Sequence, residues 1–404
     1  MISSRLDAQT GPSDTASPIL MVTYNDYPAF EGLGTRIYNL SRVLREHGHE
    51  VVVFAPNIDK RQPREEWKEG VRVVRVDLYV PAVLARIRVL ARAWCMLAQS
   101  VLSLRAYRRF FKKEPPRLIL AEQVYSILPA LVLRRLTGAP VYVDDIGTVS
   151  ELLREMGHVR LGAWFTAFEK ILFARCQGFI HTSEVSRRYY AERGAQSDRY
   201  VPNGVDCDLY HPAGDRRAGA VPVVFLNGSA YSTHNLEAFG HFIAIGRRLR
   251  DMGVAPLCFR LSAWPACYLP TSLQEEIAGA SEWLDFSDGI ADLPEAIRGA
   301  DVVVLPYSEH HGLTGGARLK ALEYMACGKL LIATAEGVAG IEGLLPGTHY
   351  LHAAHLADIP ALLARVLASP GAYQEMGTRA RGFVLERYDW RVVAKPLLGV
   401  LSPG

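Results

Sequence analysis

The chain has 404 residues, of which 45 are lysine or arginine and 42 are aspartate or glutamate, and its formal net charge is +3. That length exceeds one ordinary hydrophobic core and predicts two domains. So small a net charge excludes a general nucleic-acid binder. The 6 cysteines form no CxxC pair, which favours a reducing compartment and no structural zinc.

Residues 1–16 are polar and lack the apolar centre of a signal peptide. No stretch of the chain reaches the roughly 20 apolar residues that cross a bilayer. We therefore predict a disordered N-terminus and a cytoplasmic protein.

The first predicted strand covers residues 18–24, PILMVTY, and a loop with Gly32 and Gly34 follows it. A predicted helix from Thr35 to residue 47 and a strand over residues 50–55 complete a βαβ unit. Gly32-Leu33-Gly34 matches a dinucleotide fingerprint only in part, so a tight turn and a ligand-contacting loop both stay open.

Residues 81–113 contain eight basic residues and no acidic one among many apolar side chains. An amphipathic helix of this composition binds anionic lipid surfaces. The alternative is a core helix with a solvated basic side, and the sequence leaves both open.

Further strands are predicted over residues 117–121 and 141–143, and the second of these runs into Asp144. A side chain at the carboxyl end of a parallel strand faces the ligand crevice. Asp144 therefore either contacts a substrate or caps the loop. Asp206-x-Asp208 is interpreted as a turn that enters a linker rather than as a metal site.

The second half begins with a predicted strand over residues 222–226, a turn over 227–229 and a helix over 235–250. Strands over 257–261 and 283–286, a turn over 262–265 and a helix over 293–298 follow.

Its most informative stretch is a strand over residues 302–305, a glycine-rich loop, a helix over 316–327 and a strand over 330–333. Loop glycines allow close approach of a ligand, and the first amides of a helix bind anions. Arg318 and Lys320 add mobile positive charge there, and Glu323 lies one turn further along. An exposed charged face is the alternative.

PYSEHHGLTGGARLKALEYMACGKLLIAT resembles the donor-site segment of the retaining glycosyltransferases of family 4, which have the GT-B fold. EGLGTRIYNLSRVLREHGHEVVVFAP and VPNGVDCDLYHP are similar to the opening loop and the interdomain segment of that family. The resemblance implies an α/β fold with two Rossmann-like, doubly wound parallel-sheet domains facing across a cleft. Residues 17–202 would form the acceptor domain, 203–220 the linker and 221–386 the donor domain, while residues 387–404 would cross back to the first domain.

The same resemblance implies roles for particular residues. Glu323 would bind the nucleotide ribose, whereas Gly315 replaces a family glutamate that contacts the donor sugar. Backbone amides near the two glycine turns would face the donor phosphates. Ser229 and His234 stand where many relatives carry Arg and Lys, and Asp144 takes the place of a histidine. The predicted catalytic residues are Asp144, Arg318, Lys320 and Glu323, and the predicted donor-binding residues are Gly32, Gly34, Thr35, Ser229, His234, Gly315, Gly316, Ala317 and Leu319.

The implied activity is transfer of a hexose, with retention, from a nucleoside diphosphate sugar to a glycan or lipid-linked acceptor in bacterial envelope or extracellular polysaccharide synthesis. No metal and no cofactor is expected, and no nucleic acid. Residues 81–113 would hold the protein on the anionic inner face of the cytoplasmic membrane. Two alternatives stay open: a nucleotide-sugar epimerase or hydrolase of the same fold, and a nucleotide-sugar binding protein without turnover.

Overall fold

The structure is a computed structural model. It describes residues 17–25, 27, 33–57, 62–81, 83, 88–144, 150, 153–154, 157–195, 199–212, 221–254, 257–308 and 316–401. The predicted N-terminal segment 1–16, Gly32 and Gly315 lie outside these residues. The chain divides into two compact units, one formed by Met1–Val201 with Ala394–Gly404 and the other by Pro202–Val393.

An eight-stranded sheet forms the centre of the first unit. Its strands are β1 (Ile19–Val22), β2 (Val51–Asn57), β3 (Glu65–Lys68), β4 (Val71–Asp77), β5 (Leu118–Glu122), β6 (Val141–Asp144), β7 (Gly178–His181) and β8 (Arg199–Tyr200). They lie in the order β3-β4-β2-β1-β5-β6-β7-β8. All neighbours pair in parallel except β3 and β4. The central strands are fully buried, as parallel strands covered on both faces must be.

The helices between these strands are α1 (Leu33–Glu46), α2 (Arg88–Ala106), α3 (Gln123–Thr137), α4 (Val159–Phe173) and α5 (Glu184–Glu192). A π-helical turn, Tyr107–Phe111, extends α2. None of the described helices combines the length and apolarity that a membrane span requires.

The second unit contains a six-stranded parallel sheet with the strands β9 (Val223–Ser229), β10 (Cys258–Trp264), β11 (Leu284–Ser287), β12 (Val302–Leu305), β13 (Leu330–Ala333) and β14 (Leu351–His352). Their order is β11-β10-β9-β12-β13-β14. Its helices are α6 (Thr233–Asp251), α7 (Thr271–Ala278), α8 (Leu293–Arg298), α9 (Leu319–Ala326), α10 (Ile359–Ala368), α11 (Gln374–Arg387) and α12 (Trp390–Val393). The last helix, α13 (Lys395–Leu401), belongs to the first unit.

The predicted fold class is confirmed, because both units are parallel-sheet α/β structures of the Rossmann type. Some predicted boundaries are wrong. The turns predicted over residues 227–229 and 262–265 fall largely on the ends of β9 and β10, because pairing between these two strands continues to Ser229 and Trp264. The helix predicted from residue 316 begins at Leu319.

Candidate functional site

The site predicted in the second unit lies where β12 ends and α9 begins. Arg318 is the N-cap of α9, with φ −65° and ψ 108°, and no side chain caps this amino end. The amides of the first helical turn cannot bond within the helix. They therefore form the kind of site that binds an anion.

Lys320, in that first turn, is held by two buried polar side chains. Its Nζ donates to Asn235 Oδ1 at 2.7 Å and to the Tyr307 hydroxyl at 2.9 Å. The Tyr307 hydroxyl in turn donates to Asn235 Oδ1 at 2.7 Å. An ammonium group has three N–H donors, so within the described part of the chain a third donor stays for an anion. The predicted positive charge is present, but it is fixed in place rather than mobile.

Arg318 is also engaged. Its guanidinium group forms an ion pair with the Glu336 carboxylate and lies 5.0 Å from the centre of the Tyr307 ring. The prediction of a mobile Arg318 is therefore wrong for this structure. A ligand phosphate would have to share Arg318 with Glu336.

Glu323, one turn along α9, lies in an environment that disfavours its charge. Burial raises the pKa of Glu323 to about 7, while Lys320 and a hydrogen bond from Tyr210 act in the opposite direction. The pKa of Tyr210 is itself raised, first by burial and then by the Glu323 carboxylate. Tyr210 and Glu323 therefore form a coupled pair at the position predicted to bind ribose.

The turn that leads into α9 is fixed from two sides. The Asn203 side chain donates to the carbonyl of Ala317 at 3.1 Å. Gly340 packs so closely that a Cβ there would lie 2.6 Å from the Gly316 carbonyl and 2.8 Å from the Ala317 nitrogen. Since Gly340 also has φ +77°, only glycine suits this contact. The backbone of Gly316 and Ala317 is thus held in a defined position.

Ser229 and His234 lie near the same network. The Ser229 carbonyl accepts a hydrogen bond from the Asn235 side chain at 2.8 Å. The ring centre of His234 lies 6.0 Å from that of Tyr307. The structure therefore brings Ser229 and His234, together with Arg318 and Lys320, around Asn235 and Tyr307.

The residues predicted in the first unit form a separate group around Asp144. Both Asp144 oxygens accept from Arg36, one from Nε and one from Nη2, each at 2.8 Å. Arg36 Nη2 also donates to the Val201 carbonyl at 2.9 Å. Gly34 is buried and Thr35 half-buried at the start of α1. Asp144 thus has a buried structural partner that the sequence did not indicate, and a contact between Asp144 and a substrate stays a prediction.

Asp206 behaves as the turn interpretation requires. Its Oδ1 accepts from the backbone amides of Asp208 and Leu209 at 3.1 and 3.2 Å. Within the described ranges, no group of three or more His, Cys, Asp or Glu side chains could hold a metal ion.

Sequence reasoning missed four residues that shape this site: Tyr307, Asn235, Tyr210 and Gly340. Tyr307 could have been found, because it follows the carboxyl end of β12, where ligands bind in such sheets. The others carry no local signal, since their partners are distant in sequence.

Two family models match the chain. Residues 31–204 match the glycosyl transferase 4-like domain, and residues 264–399 match a model described as glycosyl transferase-like. Together these ranges cover more than half of the chain.

Similar proteins agree with these matches. The MMP α-(1→4)-mannosyltransferase of Mycolicibacterium hassiacum is 24% identical, over 95% of this chain and 97% of that protein. A sucrose-phosphate synthase from Thermosynechococcus elongatus has a similar structure, with a TM-score of 0.73 and 18% identity over 95% of this chain and 98% of that chain. Anabaena HepE in complex with UDP-glucose matches with a TM-score of 0.67 and 13% identity, over 95% and 99% of the two chains. The chain belongs to the glycosyltransferases of the GT-B fold, in family 4 (glycosyl transferases group 1).

Proposed function

We propose that this glycosyltransferase moves a hexose from a nucleoside diphosphate sugar to a glycan or lipid-linked acceptor, with retention of configuration. The observation that carries the proposal is the Lys320 ammonium group, which Asn235 and Tyr307 hold at the uncapped start of α9. A fixed cation beside free helix-start amides stabilises a leaving diphosphate as its charge develops, and so lowers the barrier.

The relatives support a nucleoside diphosphate sugar as donor. HepE is a structural neighbour whose complex contains UDP-glucose, and the mannosyltransferase relative transfers a sugar by its name. In our proposal the ribose of the donor lies at Glu323, and its distal phosphate lies at the backbone amides of Ala317, Arg318 and Leu319.

The proposed reaction breaks the bond between the anomeric carbon and the diphosphate oxygen. The acceptor hydroxyl oxygen forms the new bond on the same face of the sugar, and its proton passes to the leaving phosphate oxygen. The protein then supplies position and charge stabilisation rather than a nucleophile. We propose no metal ion and no organic cofactor for this step.

We further propose that the enzyme works in the cytoplasm, at the inner face of the cytoplasmic membrane, in envelope or extracellular polysaccharide synthesis. A lipid-linked acceptor would place it there, and the basic residues of the 81–113 stretch fit an anionic surface.

A transfer assay with purified protein tests the proposed function. Radiolabelled nucleoside diphosphate sugars are incubated with and without an extracted lipid fraction, and the label is followed into product. Transfer that requires the lipid fraction supports the proposal. Conversion of the donor alone would instead indicate an epimerase or hydrolase, and saturable binding without product would indicate a binding protein.

The matched variants are Lys320→Met and Lys329→Met. Lys329 lies in the same unit, but donates to the Arg298 and Ala300 carbonyls. We expect Lys320→Met to lower turnover by about a hundredfold or more, as loss of one stabilising donor does. Equal losses in both variants would contradict the role of Lys320.

A further inference from the structure

Three helices of the first unit cover one face of its sheet. The connections from β4 to β5, β5 to β6 and β6 to β7 all advance in the same direction along the sheet. Right-handed crossovers therefore place α2, α3 and α4 on the same side. The hydrophobic cluster confirms this, because it joins Ala106, Ile127 and Leu172 to the same layer of strand residues.

The outer sides of α2 and α4 expose apolar stripes rather than polar ones. On α2 the exposed residues Trp94, Leu97, Val101 and Leu104 recur every three or four positions, which places them on one side of the helix. On α4 the exposed apolar residues are Val159, Leu161, Trp164 and Ile171. Soluble monomers rarely expose so much contiguous apolar surface without an interaction that uses it.

The charge beside these stripes has one sign. The exposed cations of these helices and of the turns that follow them include Arg105, Arg108, Arg109, Lys112, Arg160 and Lys170. Residues 88–113, 123–137 and 159–175 contain a single acidic residue, Glu169. Glu169 is fully buried and paired with Arg193 at 2.7 Å, so it adds no negative charge to the surface. We call the exposed side chains of these three segments the basic three-helix face.

We propose that the basic three-helix face is a docking surface for an anionic phospholipid bilayer, in which Trp94 and Trp164 enter the interface. Tryptophan favours the boundary between headgroups and acyl chains, and each nearby cation adds about 1 kcal/mol of attraction to an anionic surface. A second copy of the chain fits less well, because a two-fold contact would press this cationic face against itself.

The proposal extends the membrane contact beyond residues 81–113 to α4, which the sequence had not indicated. As a statement about how a lipid-linked acceptor is reached, it rests on the proposed function. Vesicle binding itself is independent of sugar transfer, so the two can fail separately.

The test is flotation of the full chain with vesicles of phosphatidylcholine alone, or of equal parts phosphatidylcholine and phosphatidylglycerol. We expect binding only to the anionic vesicles, with a loss as salt is raised. Vesicles with brominated acyl chains should quench the tryptophan fluorescence of the bound protein. The absence of binding to anionic vesicles by a protein that binds nucleotide would overturn this inference and leave the proposed function in place.

A matched pair of variants locates the surface. Trp164→Ser should reduce binding by roughly tenfold, because the ring is 63% exposed within the basic three-helix face. Trp67→Ser is the control, since Trp67 is 62% exposed in the same unit but lies on β3 beside Glu65 and Glu66. Equal effects in the two variants would contradict the assignment.

Charge variants and sedimentation complete the test. Replacing Arg108, Arg109 and Lys112 by serine should also weaken vesicle binding by tenfold or more, whereas serine at the exposed Arg247, Arg260 and Arg379 of the second unit should not. Sedimentation velocity should show that the free protein is a monomer. A dimer that Trp164→Ser dissociates would show that this face binds a second copy instead of a membrane.

Discussion

At the scale of single residues, Glu323 is the side chain whose environment most constrains its chemistry. Burial raises the pKa of Glu323 to about 7, and the neighbouring groups Tyr210, Tyr324 and Cys327 all have raised pKa values. These neighbours stay neutral near pH 7, so Glu323 alone among them changes charge in that range. A ribose would accept the carboxylate best in its ionised form, since that form accepts hydrogen bonds from both hydroxyls.

The variant Glu323→Gln tests this environment. The raised pKa means that the folded protein holds a proton more tightly than the unfolded chain. The stability that this proton gives is complete at low pH and is lost as the pH rises through about 7. Glutamine is neutral throughout, so we expect its free energy of unfolding, relative to wild type, to rise by at most about 3 kcal/mol between about pH 5 and about pH 8.

Urea unfolding at the two pH values measures this difference, and titration with a nucleoside diphosphate should show weaker binding to Glu323→Gln. Parallel stability profiles for the two proteins would contradict the raised pKa. Unchanged nucleotide affinity would remove Glu323 from the site.

Tyr210 is expected to act through Glu323. Its hydrogen bond lowers the pKa of the carboxyl group, so Tyr210→Phe should raise that pKa further. The pH midpoint of nucleotide affinity should then move upward. Tyr388→Phe is the control, because it removes a hydroxyl that donates only to the Glu342 carbonyl. The same midpoint in all three proteins would show that Tyr210 does not set the state of Glu323.

Asp144 gives a residue-scale prediction of the opposite kind. Asp144→Ala leaves the buried Arg36 guanidinium without its carboxylate, and breaking such a pair costs about 3–5 kcal/mol. We expect that loss in the free energy of unfolding, measured with urea. Glu184→Ala removes an exposed ion pair with Arg187 in the same unit, and should cost less than about 1 kcal/mol. A stable Asp144→Ala protein that lacks transfer activity would show instead that Asp144 acts mainly on the substrate.

At the scale of elements, the start of α9 depends on the contact with Gly340. Alanine there would place its Cβ against the Gly316 carbonyl and the Ala317 nitrogen, in a backbone conformation with φ +77°. The turn that carries the proposed phosphate amides would have to move. A small glycine 24 positions later in the chain thereby controls the geometry of the site.

The variants Gly340→Ala and Gly347→Ala separate crowding from backbone strain. Gly347 has nearly the same φ, +76°, but nothing lies within 4 Å of its added Cβ. Both variants should lose about 1 kcal/mol to backbone strain, and only Gly340→Ala should also bind a nucleoside diphosphate more weakly, by tenfold or more. Calorimetric titration measures the affinities. Equal affinities for the two variants would contradict the role of the Gly340 contact.

At the scale of the whole molecule, the proposed nucleotide site and the basic three-helix face belong to different compact units. Hydrogen–deuterium exchange can therefore observe them independently. A nucleoside diphosphate should slow exchange at the amides of residues 316–323, because bound ligand protects local openings. Anionic vesicles should slow exchange in residues 94–113 and 159–175 instead. Protection of α2 and α4 by the nucleotide alone would contradict this division of the two surfaces.

The buried parallel strands were predictable because their signal is local. The runs over residues 302–305 and 330–333 were predicted to the residue, since a strand buried on both faces reads as a continuous apolar segment. Helices α4 and α7 were missed. In α4, apolar residues occupy both the buried and the exposed side, and this removes the periodicity by which a helix is recognised. The charged strand β3 was missed because three of its four residues are charged and it pairs at a sheet edge.

The sequence by itself determined the fold class, the family and the stretch around residues 302–333, because each of these is written in local patterns of apolar, glycine and charged residues. The tertiary structure alone decided which groups meet. Lys320 binds an Asn235 side chain 85 positions away, and Arg36 binds an Asp144 side chain 108 positions away. The raised pKa of Glu323 and the single sign of charge on three neighbouring helices are likewise sums over contacts that form only when distant segments pack together.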